Sequence, residues 1–225
     1  MTFPPFSNIL CRFFALSREP ERSLKETPFM RNAAGIAVAF LLVLAASARA
    51  GEIKGSCSLR FVGVSTLHDF TGTVRCQPFS ADLVTGPDGG TRIPRVDVDV
   101  QVREMETGNH TRDGKMREMF QSDRYPVIRG TAREIDVDGI RREIGNEGGG
   151  KAFFDLTLGI RDVERTVHAA VTNFREEGSR VGFDVEFPVS LADYGLEAPS
   201  FLGLFRVRDK VTVTGNVRLE VSSKQ

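Results

Sequence analysis

The chain has 225 residues, with 30 basic and 30 acidic side chains and no tryptophan. The two signs are interleaved and no basic block occurs, which argues against nucleic acid and anionic membrane surfaces as partners. Residues 51–225 alone carry 24 Lys and Arg against 27 Asp and Glu, a net of about −3.

Residues 30–50, MRNAAGIAVAFLLVLAASARA, have the layout of a secretory signal peptide. Arg31 supplies a short basic start, Ile36–Ala46 an unbroken apolar core, and Ala48-Arg49-Ala50 small residues at both positions a signal peptidase reads. Cleavage is expected after Ala50, with export to the periplasm. The core of about eleven residues is too short for a spanning helix, which needs ~20, so the chain is not expected to span a membrane. No cysteine follows the cut to take a lipid. Residues 1–29 precede a second methionine with a complete signal behind it, so they read as an extension from a start assigned too early, with Met30 the true start. That leaves 51–225 as one domain, long enough to bury a core without staples.

In that domain, short alternating runs are separated by Gly, Asn, Asp and Pro. The first two, Cys57-x-Leu59-x-Phe61 and Phe70-x-Gly72-x-Val74-x-Cys76, flank Ser65–Asp69 and are symmetric about Thr66–Leu67. Paired as a hairpin on that centre, Leu59 faces Val74, Phe61 faces Gly72, and Cys57 faces Cys76. In an oxidising compartment two such cysteines are expected to form a disulfide. His68 and Asp69 then sit at or just after the bend. Neighbouring strand residues point to opposite faces, so they are expected to turn the chain, not to catalyse.

Val96–Val102 alternates almost without fault, placing Asp97 and Asp99 on a wet outer face. His110–Gln121 brings Met116, Met119 and Phe120 to helical spacing and predicts a short amphipathic helix capping one end of the sheet. Further strands are expected over Val127–Val137, Ala152–Ile160, Thr166–Phe174, Val181–Leu191 and Lys210–Val221. The polar, glycine-rich Gly139–Gly150 is expected to be a solvated hairpin tip. Leu196–Phe205 is unusually apolar for a loop. Eight strands with mostly short connections predict an all-β domain, an antiparallel meander closed into a barrel or folded into a sandwich.

Catalytic and metal signals are weak. His110 opens the helix, and His168 lies out of phase with Val167, Ala169 and Val171, on the wet face. His68, His110 and His168 share no ligand spacing. No nucleophile elbow, His-Glu-x-x-His or phosphate loop occurs. Neither an enzyme nor a bound metal or cofactor is expected. Apolar material is in surplus, with 17 Phe against 2 Tyr. Eleven of those Phe fall after residue 50. Phe has no polar tip to satisfy and suits a lining for a hydrocarbon, although a small barrel can equally be packed solid.

Several segments together resemble the YceI-like family. STLHDFTGTV resembles its first hairpin, and Met105–Asn109 with Arg112-Asp113 its passage from strand to helix. Phe120–Ile128 resembles the segment where Tyr-Pro starts the next strand. Leu156–Val163 resembles a tight hairpin, and Val207–Val213 the closing strand. The resemblance implies an eight-stranded antiparallel lipocalin-like β-barrel, periplasmic in bacteria, whose long interior holds an isoprenoid or other lipid chain. It implies no catalysis. Family members often carry a His in the helix where this chain has Lys115 or Met116.

The expected function is binding, transport or storage of a long apolar molecule, an isoprenoid or fatty-acid-like lipid. Its lining is expected from Leu59, Phe61, Phe70, Val98, Val100, Phe154, Leu156, Leu158, Phe183, Val185 and Phe187. Met116, Phe120, Phe201 and Leu204 are placed near the ends. The alternative is a stress-response adaptor with a filled barrel that docks a protein partner through 196–205. Oligomeric state is left open, a homodimer included.

Overall fold

β1 (Ala50–Ser65) alternates apolar with polar residues and is paired along both of its sides. The computed structural model describes residues 50–65, 69–145, 150–197 and 207–223. All belong to one compact unit, Ala46–Gln225. One edge of β1 pairs antiparallel with β9 (Val207–Ser223) from Gly51↔Ser223 to Gly63↔Val211. The other edge is shared by two shorter strands, β2 (Phe70–Arg75) and β3 (Phe79–Thr85). These are one barrel stave broken at Cys76–Pro78, where proline has no N–H to give to a ladder.

The remaining staves follow in sequence: β4 (Thr91–Gln101), β5 (Val127–Asp136), β6 (Ala152–Ile160), β7 (Val163–Glu177) and β8 (Arg180–Ser190). Each pairs antiparallel with its neighbour, and β8 pairs with β9. The β1–β9 pairing closes the ring, so nine strand segments make an eight-stave barrel. Closure removes the sheet edges that would otherwise template aggregation. The β3–β4 seam is the thinnest. It pairs at Val84↔Arg92 and Thr85↔Thr91 and again, in the same register, at Cys76↔Val100. Pro78 and Pro94 lie along this seam and cannot donate to it.

Among the described residues two α-helices sit at opposite ends of the barrel. α1 (His110–Phe120) follows β4, and α2 (Val137–Gly145) follows β5. Asn109 caps α1, its Oδ1 accepting the Arg112 N–H at 3.0 Å, and Gln121 ends it in the left-handed conformation. Met116 and Phe120 turn inward and are buried with Val102 and Met105. α1 thus caps its end as the spacing predicts.

α2 overturns part of the sequence expectation. Gly139–Gly150 does connect two antiparallel strands, but it begins as helix, and Val137 belongs to that helix, not to β5. Asp136 Oδ1 accepts the Gly139 N–H at 2.9 Å and caps the turn. A β-carbon at Gly139 would stand 2.6 Å from Asp136 Oδ2, so the glycine that argues against a helix is what lets the cap close. β3 is a second departure, being a strand the sequence reading leaves out. β1, β4 and β9 also begin earlier than their most apolar stretches indicate.

Candidate functional site: the barrel interior

The first hairpin has the register its symmetry predicts, with Leu59↔Val74 and Phe61↔Gly72. Cys57 and Cys76 form a disulfide at a Cα–Cα distance of 5.2 Å, and the Cys76 N–H donates to the Cys57 carbonyl at 3.0 Å. Asp69 is exposed. His68 lies outside the described residues.

Inward-facing side chains line a cavity of about 340 Å³. Leu59, Phe61, Phe70, Val98, Val100, Met116, Phe120, Phe154, Leu156, Leu158, Phe183, Val185 and Phe187 all line it. Phe201 and Leu204 fall outside the described residues. Leu59, Phe70, Val98, Phe154, Leu156 and Phe183 point inward yet stay only half-buried. In a filled barrel these positions would be closed off by opposing side chains. The described residues leave the interior hollow.

The cavity is long. Along β9 its lining runs from Val211 to Val221, ten residue steps or ~33 Å of strand. At a barrel tilt of ~40° that is ~25 Å along the axis. Ile53, Ile93 and Ile135 line it toward α2, and Met105, Met116 and Met119 toward α1. The sequence reading missed the contribution of β3 (Phe79, Ala81, Leu83) and of α2 (Val137, Ile140). In both, the signal was present as alternation or as helical spacing.

Of the described lining residues, two are charged: Arg112 at the α1 end and Arg141 at the α2 end. Arg112 donates from Nε to Thr107 Oγ1 at 2.8 Å and from Nη2 to the Thr107 carbonyl at 2.9 Å. Its guanidinium lies 5.3 Å from the centre of the Phe70 ring, a cation–π contact. Buried Asp113 accepts from the Thr107 N–H and hydroxyl at 2.9 and 2.5 Å, which fixes the loop Arg112 leans on. Arg141 is differently placed. It donates to Asp138 at 3.2 Å and to Glu176 at 2.6 Å.

The outer surface is the chemical inverse of the interior. Arg95 forks onto Asp97 at 2.7 and 2.9 Å, and Arg129 onto Asp99 at 2.7 Å twice. The Arg95 hydrogen bond holds the Asp97 carboxyl below its ordinary range, with Thr131 assisting. His168 is exposed on this outer face, its Nδ1 2.6 Å from Asp155 Oδ1. Among the described residues no three His, Cys, Asp or Glu side chains gather as a metal site. No described helix is long and apolar enough to cross a membrane.

The fold has known counterparts. A domain from Saccharophagus degradans, described as polyisoprenoid-binding and implicated in plant cell wall breakdown, superposes with a TM-score of 0.54. That match has 20% identity and covers 74% of this chain and 97% of that one. BcnA of Burkholderia cenocepacia superposes with a TM-score of 0.53 at 15% identity, over 72% of this chain and 95% of its own. At these identities the likeness is one of fold. No curated protein matches the sequence. The model of the YceI-like domain matches residues 53–219, most of the barrel from β1 to β9, and the chain therefore belongs to the YceI-like family.

Proposed function

We propose that this protein is a non-enzymatic carrier or store of a long-chain apolar molecule, a polyisoprenoid or other lipid, held inside the barrel. The cavity of about 340 Å³ with its hydrocarbon lining carries the reading. An apolar cavity of ~150 Å³ already stays dry and binds benzene, and this one is more than twice that size. Each buried methylene contributes ~0.8 kcal/mol, so a chain following the long axis gains affinity from length. The charged outer face opposes the pattern of a lipid-embedded barrel, which turns an apolar band outward. The apolar ligand is thus held inside the protein, and the protein's outer face meets water.

The protein acts in the periplasm, delivered by residues 30–50 and cut after Ala50. Support for this comes from the signal-like leader and from a disulfide of the kind oxidising compartments maintain.

Native mass spectrometry of gently purified protein tests the carrier reading. A co-purified lipid, released into an organic extract and retained on dilution, is expected. A uniformly ligand-free spectrum from several preparations counts against it. N-terminal sequencing of the periplasmic fraction should begin at Gly51.

A further inference from the structure

The two arginines that reach the cavity are electrically unequal. Arg141 has a carboxylate at each amino group, Asp138 at 3.2 Å and Glu176 at 2.6 Å. Its Nε is enclosed by protein and meets no acceptor. An anion arriving at the α2 end would face two carboxylates before it reached that guanidinium. Arg112 has no carboxylate within ion-pair distance among the described residues. Its partner is Thr107, which takes two of its five N–H groups and leaves the charge intact.

Arg112 also occupies an awkward place for a cation. It is in the first turn of α1, where the helix dipole favours negative charge. Thr107 and the face of Phe70 hold it there, half-buried at the cavity wall. The α1 end therefore combines a guanidinium with no direct carboxylate partner among the described residues, the positive end of an eleven-residue helix and a low-dielectric surround, with Asp113 one hydrogen bond further off, behind the Thr107 hydroxyl. Among the described residues nothing comparable stands at the α2 end.

We propose that Arg112 makes the α1 mouth of the cavity selective for an oxyanion head group, a carboxylate or a phosphate. An amphipathic chain then lies with its head at Arg112 and its tail toward Ile53 and Ile135. This rests on the carrier reading and adds to it a ligand class and a direction of binding.

Twelve-carbon probes separate the two ideas. Binding of dodecanoate, dodecyl phosphate and dodecan-1-ol is measured by calorimetry for the wild type, Arg112→Gln, Arg112→Lys and Arg141→Gln. A charge-assisted hydrogen bond corresponds to roughly 10- to 100-fold in affinity. Arg112→Gln should weaken both anions by about that factor and leave the alcohol unchanged, which also shows that the barrel is folded. Arg112→Lys should recover part of the loss, because it keeps the charge without the fork. Arg141→Gln should treat the two anions and the alcohol alike, because its guanidinium is already paired with Asp138 and Glu176. Equal weakening of all three probes by Arg112→Gln, no weakening of any, or a loss confined to Arg141→Gln overturns the assignment while the carrier reading stands. Failure of the wild type to bind any probe overturns both.

Discussion

The ring of Phe61 lies across Gly72, its partner on the facing strand, so closely that a β-carbon at position 72 would stand 2.0 Å from Cζ. Phe70 covers Gly63 and Phe79 covers Gly55 in the same way. In each pair the glycine gives up a side chain so that the ring can lie against the wall and the lumen stays open. Gly72→Ala forces the Phe61 ring inward. Overpacking of this kind costs about 1–3 kcal/mol, more than the ~0.5–1 kcal/mol that alanine recovers from backbone entropy. The melting temperature should fall by several degrees, and Phe61→Leu in the same chain should restore most of it. Additive effects of the two substitutions in thermal melts, with no coupling, would contradict the contact.

The disulfide joins residues 19 apart in sequence. Closing a loop of that size in the unfolded chain is worth about 3 kcal/mol. For a domain of this length the melting temperature should drop by roughly 6–12 °C on adding dithiothreitol, and equally in Cys57→Ala with Cys76→Ala. Reductant should have no further effect on the double variant. A melt indifferent to reductant would show that the bond does not constrain the unfolded chain.

The hairpin register and the inward phase of β6, β8 and β9 were legible because side-chain alternation has a fixed period and both faces differ sharply in polarity. Cys57 and Cys76 added a covalent check on the same register. α2 was not legible because Gly139 and the glycines after Asn146 outweighed Val137, Ile140 and Ile144, which do stand at helical spacing behind an Asp136 cap. β3 alternates correctly at Phe79, Ala81 and Leu83, but it follows a proline and continues a stave already counted in β2. The hollow is a different matter. Inward phenylalanines fill a barrel or line one, and the choice depends on where rings such as Phe61 lie, which only the three-dimensional arrangement with Gly72 decides. The asymmetry of Arg112 and Arg141 was hidden for the same reason, since Glu176 is distant in sequence from its partner.

Val98 faces Gly130 across β4 and β5 and lines the cavity. Val98→Trp should project an indole into the cavity. Binding of a sixteen-carbon chain should weaken by at least about tenfold, a loss of ~1.4 kcal/mol, while the circular dichroism signature of the strands is unchanged. Undiminished binding in this variant would place the ligand outside the barrel.

Two aspartates pin opposite ends of the barrel. Asp138 accepts the Thr91 N–H at 2.8 Å, tying α2 to the start of β4, and this bond holds its carboxyl below the ordinary range. Asp209 accepts from the Ser190 hydroxyl and the Ala192 N–H, each at 2.7 Å, which depresses its carboxyl likewise and ties β9 to the turn after β8. A carboxylate with a folded-state pKa below its unfolded value of ~3.9 adds stability that is fully present above that value. The contribution is lost as pH falls through the depressed folded value. Melting temperature should therefore be flat from neutrality to about pH 5 and decline below about pH 4. Asp138→Asn with Asp209→Asn should lower the neutral plateau and make the acid decline shallower. Part of the slope should remain, because Asp97 and Asp184 are depressed as well, Asp184 by Asn173 and Asn216. A double variant with the wild-type acid slope would mean that these two carboxylates are as easily protonated in the barrel as in the unfolded chain.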